Sequence, residues 1–110
     1  MREYRPDRWV VLEFVTSQET FRKVFGGWYG GYAGSDTWRL NSGIVAAREK
    51  DDVFEFEGYS GSVYYCHRNN YGMTSYMGSV LESWVRKHSV LDSDITINII
   101  QLEHVVEYPL

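Results

Sequence analysis

From Thr74 the hydrophobic period of this chain changes from two to between three and four, and from Ile95 it changes back. An order of strands, then a helix, then a strand predicts an α+β domain. Met77, Val80, Leu81, Trp84, Val85 and His88 share one helical face, with Glu82, Arg86 and Lys87 elsewhere, so one amphipathic helix is expected over about residues 74–89. Thr74 or Ser75 can cap its first turn, while Arg86, Lys87 and His88 suit the negative end of its dipole. Leu91-Asp92-Ser93-Asp94 is expected to end it. Beyond lies a half-buried strand, with Ile95, Ile97 and Ile99 on one face and Thr96, Asn98 and Ile100 on the other.

Upstream, the residue types are those of strands. Trp9-Val10-Val11-Leu12-Glu13-Phe14-Val15 is rich in strand formers, Thr16 to Glu19 reads as a turn, and Phe21 to Phe25 continues as the second arm of a hairpin that ends at the glycines. Its partner beyond the loop is expected at Gly43 to Glu49. Lys50-Asp51-Asp52 makes a charged turn, and Val53-Phe54-Glu55-Phe56-Glu57 then alternates, with phenylalanines inward and glutamates in water. Gly58-Tyr59-Ser60-Gly61 turns this strand into Ser62 to His67, so residues 53–67 form an antiparallel hairpin. The expectation is a single domain over residues 1–110, built on a mainly antiparallel sheet of about five or six strands, with the helix packed on one face.

The apolar content of 44% supplies a core for one such domain. The net charge of −4 arises from 15 acidic and 11 basic residues mixed along the chain, which leaves no broad positive field for duplex nucleic acid. A local group of arginines can still hold a small anion, because screening favours near charges over the distant total. Cys66 is the only cysteine, which excludes an intrachain disulfide and cysteine-rich zinc motifs, and suits a reducing setting. Arg2, Arg5 and Arg8, interrupted by Glu3 and Asp7, read as a solvated arm. Only about seven apolar-biased residues follow this charged N-terminus, too few for a signal core or a membrane span, so a cytoplasmic protein is expected.

Five of the ten glycines fall within residues 26–34, among Trp28, Tyr29 and Tyr32, and the segment continues into Trp38-Arg39-Leu40-Asn41-Ser42. Glycine permits close approach by another molecule, aromatic faces stack on rings, and an arginine fork grips phosphate oxygens. In an extended segment Arg39 and Asn41 share a face. With the second glycine loop, the candidate ligand-binding residues are Trp28, Tyr29, Tyr32, Trp38, Arg39, Asn41, Ser42, Tyr59, Ser60 and Ser62. A plainer alternative makes the glycines tight turns and the aromatics core or edge residues. No Gly-Lys-Ser/Thr follows the glycines, so this is not a phosphate-binding loop of the P-loop kind.

Catalysis and metal binding have less support. Cys66 and His67 are strand neighbours and point to opposite faces, which prevents them from acting as nucleophile and base. Glu55 and Glu57 share a face but are explained as the wet side of a hairpin. His67, His88 and His104 are scattered, outside any short ligand motif. No catalytic residue, metal or cofactor is expected.

The segments Gly27-Trp28-Tyr29-Gly30-Gly31-Tyr32 and Ser35-Asp36-Thr37-Trp38-Arg39-Leu40-Asn41-Ser42-Gly43-Ile44 resemble a group of small tailed-phage proteins. In that group a Trp-x-Gly-Gly-Tyr segment precedes a Ser-Trp-Arg-x-Asn-Ser-Gly-Ile segment. The similarity extends through Gly58 to His67 and Tyr71-Gly72, covering roughly residues 20–80. It implies a phage accessory protein, acting in the host cytoplasm against a defence system. Two classes then stand: a binder that sequesters a nucleotide-like signal, and an anti-CRISPR-like inhibitor that docks on a host defence protein or complex through exposed aromatic loops. Homo-oligomers are possible if the first or last long strand lies at a sheet edge.

Overall fold

A computed structural model describes residues 2–30, 34–90 and 94–107, without the side chains of Ser89 and Val90. Trp9-Val10-Val11-Leu12 sits at its centre. A strand with four consecutive apolar residues needs cover on both faces, and β2 (Arg8–Val15) receives it. Trp9 and Val11 face a second sheet, packing with Phe54, Phe56, Tyr64 and Cys66. Val10 and Leu12 face the helix, with Phe25, Met77 and Leu81. The result is three layers: sheet, sheet, helix.

The central sheet has the order β4-β3-β2-β8, formed by β2, β3 (Thr20–Trp28), β4 (Thr37–Leu40) and β8 (Thr96–Ile99). The outer sheet has the order β1-β7-β6-β5, formed by β1 (Glu3–Tyr4), β5 (Ile44–Lys50), β6 (Val53–Gly58) and β7 (Val63–His67). The α+β class and the single compact body agree with the sequence, but among the described residues the strands number eight and divide into two sheets. Among the described residues no helix is long and apolar enough to cross a membrane.

Helix α1 (Ser75–Val90) begins at Thr74, whose Oγ1 accepts a hydrogen bond from the Met77 N–H at 3.1 Å, which resolves the choice of cap. Met77 and Leu81 are buried against the central sheet and Trp84 packs beside Phe25, whereas Val85 is exposed, one position off the contact stripe. The predicted helix end at Leu91-Asp92-Ser93 lies outside the described residues.

Residues 26 and 27 depart most from expectation. β3 does not stop at the glycines but runs through them: Gly26 pairs with Trp9 and Arg39, and Gly27 with Arg8 and Trp38. A Cβ on Gly27 would stand 2.4 Å from Met77 Sδ, so this position lacks a side chain because the helix lies on it. Strand glycines have no side chain to reveal their alternation, and in sequence they read as a loop. The partner of β3 beyond residues 30–36 is accordingly β4, and β5, expected in that place, belongs to the other sheet, paired with β6.

The hairpins at 50–53 and 58–62 occur where the turn residues put them. The last segment is less regular than its alternation suggests. Ile97 packs on the helix-side core and Ile100 on the inter-sheet core, but Ile99 is exposed on the edge strand β8. After β8, Val105 is fully buried between the sheets, and Arg22 fastens this tail by donating to the His104 and Glu107 carbonyls while pairing with Glu13 at 3.2 Å. Of the two strands considered for pairing between copies, β8 is at an edge and β2 is interior.

Candidate functional site

The N-terminal arm is not a solvated appendage. β1 adds to the outer sheet in parallel with β7, Glu3 opposite Val63 and Tyr4 opposite Tyr64, and the Arg2 carbonyl accepts from the Val63 N–H at 2.9 Å. This carries Tyr4 to the open end of the gap between the sheets. Tyr4 packs on Tyr64 with ring centroids 4.9 Å apart and meets Trp28 edge-on at 6.3 Å. Across the gap Arg39, on the inward face of edge strand β4, lays its guanidinium 4.6 Å from the centre of the Tyr4 ring. Stacking engages the guanidinium plane and leaves its N–H edge available for an anion.

Three adjoining concavities meet at this Tyr4–Arg39 pair. A polar basin of about 590 Å³ is lined by Arg2, Tyr4, Arg39, Ser60, Gly61 and Ser62. A second, of about 460 Å³, is lined by Tyr4, Trp28, Thr37, Trp38 and Arg39. A recess of about 170 Å³ is bordered by Tyr4, Arg39, Leu40, Asn41, Ser42, Ser60, Ser62 and Tyr64. The hairpin tip of the outer sheet and the β4–β5 connection of the central sheet therefore form opposite walls of one groove. Ser42 Oγ accepts from the Ser60 N–H at 2.8 Å and lies 3.1 Å from Ser60 Oγ, tying the walls together. Gly61 turns the tip with φ of +94°, a conformation that side chains disfavour.

Charge in the groove has one sign. Among the described residues no acidic one lines any of the three concavities, although the chain carries 15. Among the described residues Arg2 and Arg39 make no ion pair, nor does Arg8, which donates to the Tyr71 carbonyl, whereas Arg5, Arg22, Arg48, Arg68 and Arg86 all do. The neighbouring Tyr4 phenol raises the pKa of the Arg2 guanidinium. Burial pushes the Tyr64 phenol up against the opposing pull of Arg39, so it stays protonated and able to donate.

Asn41 is only 4% exposed. Its Oδ1 accepts from the backbone N–H of Val24 at 2.9 Å and of Gly43 at 3.3 Å, which fixes the amide orientation. Its Nδ2 is buried and without an acceptor among the described residues.

Of the candidates named from sequence, Arg39, Asn41, Ser42, Ser60 and Ser62 come together in the recess, and Trp28 and Trp38 border the adjoining concavity. Trp38 is 37% exposed, with its ring edge-on to Phe25 at 5.8 Å and to Trp84 at 5.2 Å on the helix side of β4. It closes the groove's rim more than it offers a free face. Tyr29, 58% exposed, and Tyr59, 83% exposed, border none of the three concavities. Tyr32 lies outside the described residues. Arg2 and Tyr4 were not read as site residues because a two-residue parallel edge strand leaves no local periodicity, and Tyr64 lies on β7, whose pattern marks a strand but not the gap it faces.

Cys66 is fully buried among Trp9, Phe54 and Phe56, and burial pushes its thiol well up, the state of an inert core cysteine. Glu55 is engaged by Arg48 through two hydrogen bonds of 2.9 and 3.0 Å. Among the described residues no three His, Cys, Asp or Glu side chains stand close enough together to hold a metal ion. The chain matches no family model, no curated protein and no solved structure.

Proposed function

We propose that this chain is a non-catalytic binding protein that sequesters a small nucleotide-like ligand in the groove around Arg39. The observation that carries the reading is that Arg2 and Arg39, without an ion-pair partner among the described residues, line a groove that no described carboxylate borders, within a chain of net charge −4. Two arginines that converge on a concavity lined by no carboxylate set a local positive field that favours an incoming anion. Trp28 adds aromatic surface of the kind that accepts a base, at about 1–3 kcal/mol per stacked base. The resemblance to small tailed-phage proteins supplies a setting, in which the ligand is a signal of a host defence system and its capture in the cytoplasm silences that system.

Thermal unfolding with a panel of nucleotides tests this. A ligand at one hundred times its dissociation constant stabilises the fold by about 2.7 kcal/mol, a rise in Tm on the order of 10 °C. Unchanged melting with every mononucleotide, dinucleotide and cyclic nucleotide would remove the proposal.

Tyr59 and Tyr29 favour a second reading, docking on a host defence protein, because both rings stand in solvent outside the groove. Under that reading Tyr59→Ser abolishes capture of the partner while Arg39→Gln does not. Under the first, only Arg39→Gln matters.

A further inference from the structure

We infer that the ligand is a nucleotide with a single base and a terminal phosphate, of the nucleoside 5′-mono- or diphosphate class, rather than a dinucleotide with internal diesters. This rests on the groove being the ligand site. The first reason is its asymmetry. Aromatic side chains border the concavity on one side of the Tyr4–Arg39 pair, where Trp28 and Trp38 lie, while the basin on the other side adds only Arg2, Ser60, Gly61 and Ser62. One ring platform and one cationic, hydroxyl-rich end suit a molecule with a base at one end and charge at the other. A cyclic dinucleotide carries a base on each side of its phosphates and would leave one of them on serines and an arginine.

The second reason is the recess. At about 170 Å³ it is well below the roughly 300 Å³ of the smallest drug-sized pockets and equals the share of about five or six liquid waters. It has room for a compact group and not for a nucleoside. Its border supplies donors: the Arg39 guanidinium, the hydroxyls of Ser42, Ser60 and Ser62, and the protonated Tyr64. Asn41 borders the recess as a neutral residue, its oxygen committed to Val24 and Gly43 and its Nδ2 closed off from solvent beside Gly58. A terminal phosphate presents three non-bridging oxygens, all acceptors, and enters with a single chain trailing behind it. A diester offers two such oxygens and needs a second exit. With the terminal group in the recess, Arg2 stands at the mouth, where an adjacent phosphate of a diphosphate would lie.

Calorimetric titration of the full chain with adenosine and guanosine 5′-mono- and diphosphates, adenosine, 3′,5′-cyclic AMP and cyclic di-AMP tests the inference. The 5′-phosphates are expected to bind at least tenfold more tightly than adenosine, cyclic AMP and cyclic di-AMP. Asn41→Asp keeps the acceptor for Val24 and Gly43 but sets a negative charge at the border of the recess, and is expected to weaken the 5′-phosphates at least tenfold. Arg2→Met is expected to weaken diphosphates more than monophosphates. Cyclic di-AMP binding as tightly as the 5′-phosphates, or cyclic AMP matching AMP, overturns the inference and leaves the groove reading intact. Binding by none of the probes overturns both. Should Asn41→Asp fail to fold, the wild-type comparison of AMP with cyclic AMP decides alone.

Discussion

Replacing Gly27 by alanine is expected to destabilise the protein by about 1–2 kcal/mol, against the usual benefit of removing a strand glycine. The added Cβ would lie 2.4 Å from Met77 Sδ and 2.8 Å from its Cγ, where nonbonded carbons prefer about 3.5–4.0 Å. Met77 is fully buried, and its sulfur accepts a hydrogen bond from the Thr74 N–H at 3.4 Å, so it has little freedom to retreat. Overfilling a packed core costs about 1–3 kcal/mol, and the lower backbone entropy of alanine offsets about 0.5–1 kcal/mol of that. Gly26→Ala is the control on the opposite face, where the nearest atom is Pro6 Cβ at 3.0 Å, and its net change is expected to stay within about 0.5 kcal/mol. Urea titrations read both through the midpoint at constant m. Combining Gly27→Ala with Met77→Ala should cost less than the sum, because the new methyl fills part of the cavity left by methionine, with a coupling of about 0.5–2 kcal/mol. A Gly27→Ala variant at least as stable as wild type, or strict additivity with Met77→Ala, would refute the idea that residue 27 is glycine because the helix rests on it.

Two further predictions concern backbone and pH. Asp51 and Asp52 turn the β5–β6 hairpin with φ of 53° and 66°, so Asp52→Gly is expected to raise stability by up to about 1 kcal/mol in urea titration, and a loss would argue against this turn. Stability is expected to fall as pH rises above about 8.5, because burial raises Cys66 in the folded state above its ordinary value: the native protein keeps a proton that the unfolded chain gives up. The contribution is complete below that pH and is lost upward at up to about 1.4 kcal/mol per pH unit, with Tyr64 and Tyr71 adding the same sign above about pH 10. Urea midpoints of wild type and Cys66→Ala between pH 7.5 and 10 check it, and equal slopes would contradict it.

What could be read in sequence was what local periodicity encodes. β2, the 53–67 hairpin and α1 are each defined by their own repeat, and the turn residues bounding them are chemically specific. The uninterrupted Trp9-Val10-Val11-Leu12 run needs cover on both faces, but the expected single sheet with a helix on one face did not take that from it, and the division into two sheets went unread. Gly26 and Gly27 were illegible as strand because their role belongs to Pro6 and Met77, remote in sequence. The groove was half legible. Arg39, Asn41, Ser42, Ser60 and Ser62 announce themselves by polar chemistry beside glycine turns, whereas Arg2 and Tyr4 enter through a parallel pairing 60 residues away. Val105 illustrates the same limit: a short tail buried by tertiary packing carries no periodic signal.

The central claim is that Arg39, unpaired in a groove without carboxylates, holds the anionic part of a nucleotide-like ligand. Titration of the nucleoside 5′-diphosphates of the four common bases into wild type, Arg39→Gln and Arg48→Gln tests it most directly. Both variants remove one positive charge, but Arg48 is already paired with Glu55 on the outer sheet. A charge-assisted hydrogen bond worth about 1.5–3 kcal/mol corresponds to roughly 10- to 150-fold in affinity. The account predicts binding of at least one of these nucleotides by wild type, a loss of that size in Arg39→Gln, and affinity within about twofold of wild type in Arg48→Gln. Equal affinity in all three proteins, or equal losses in the two variants, would contradict it.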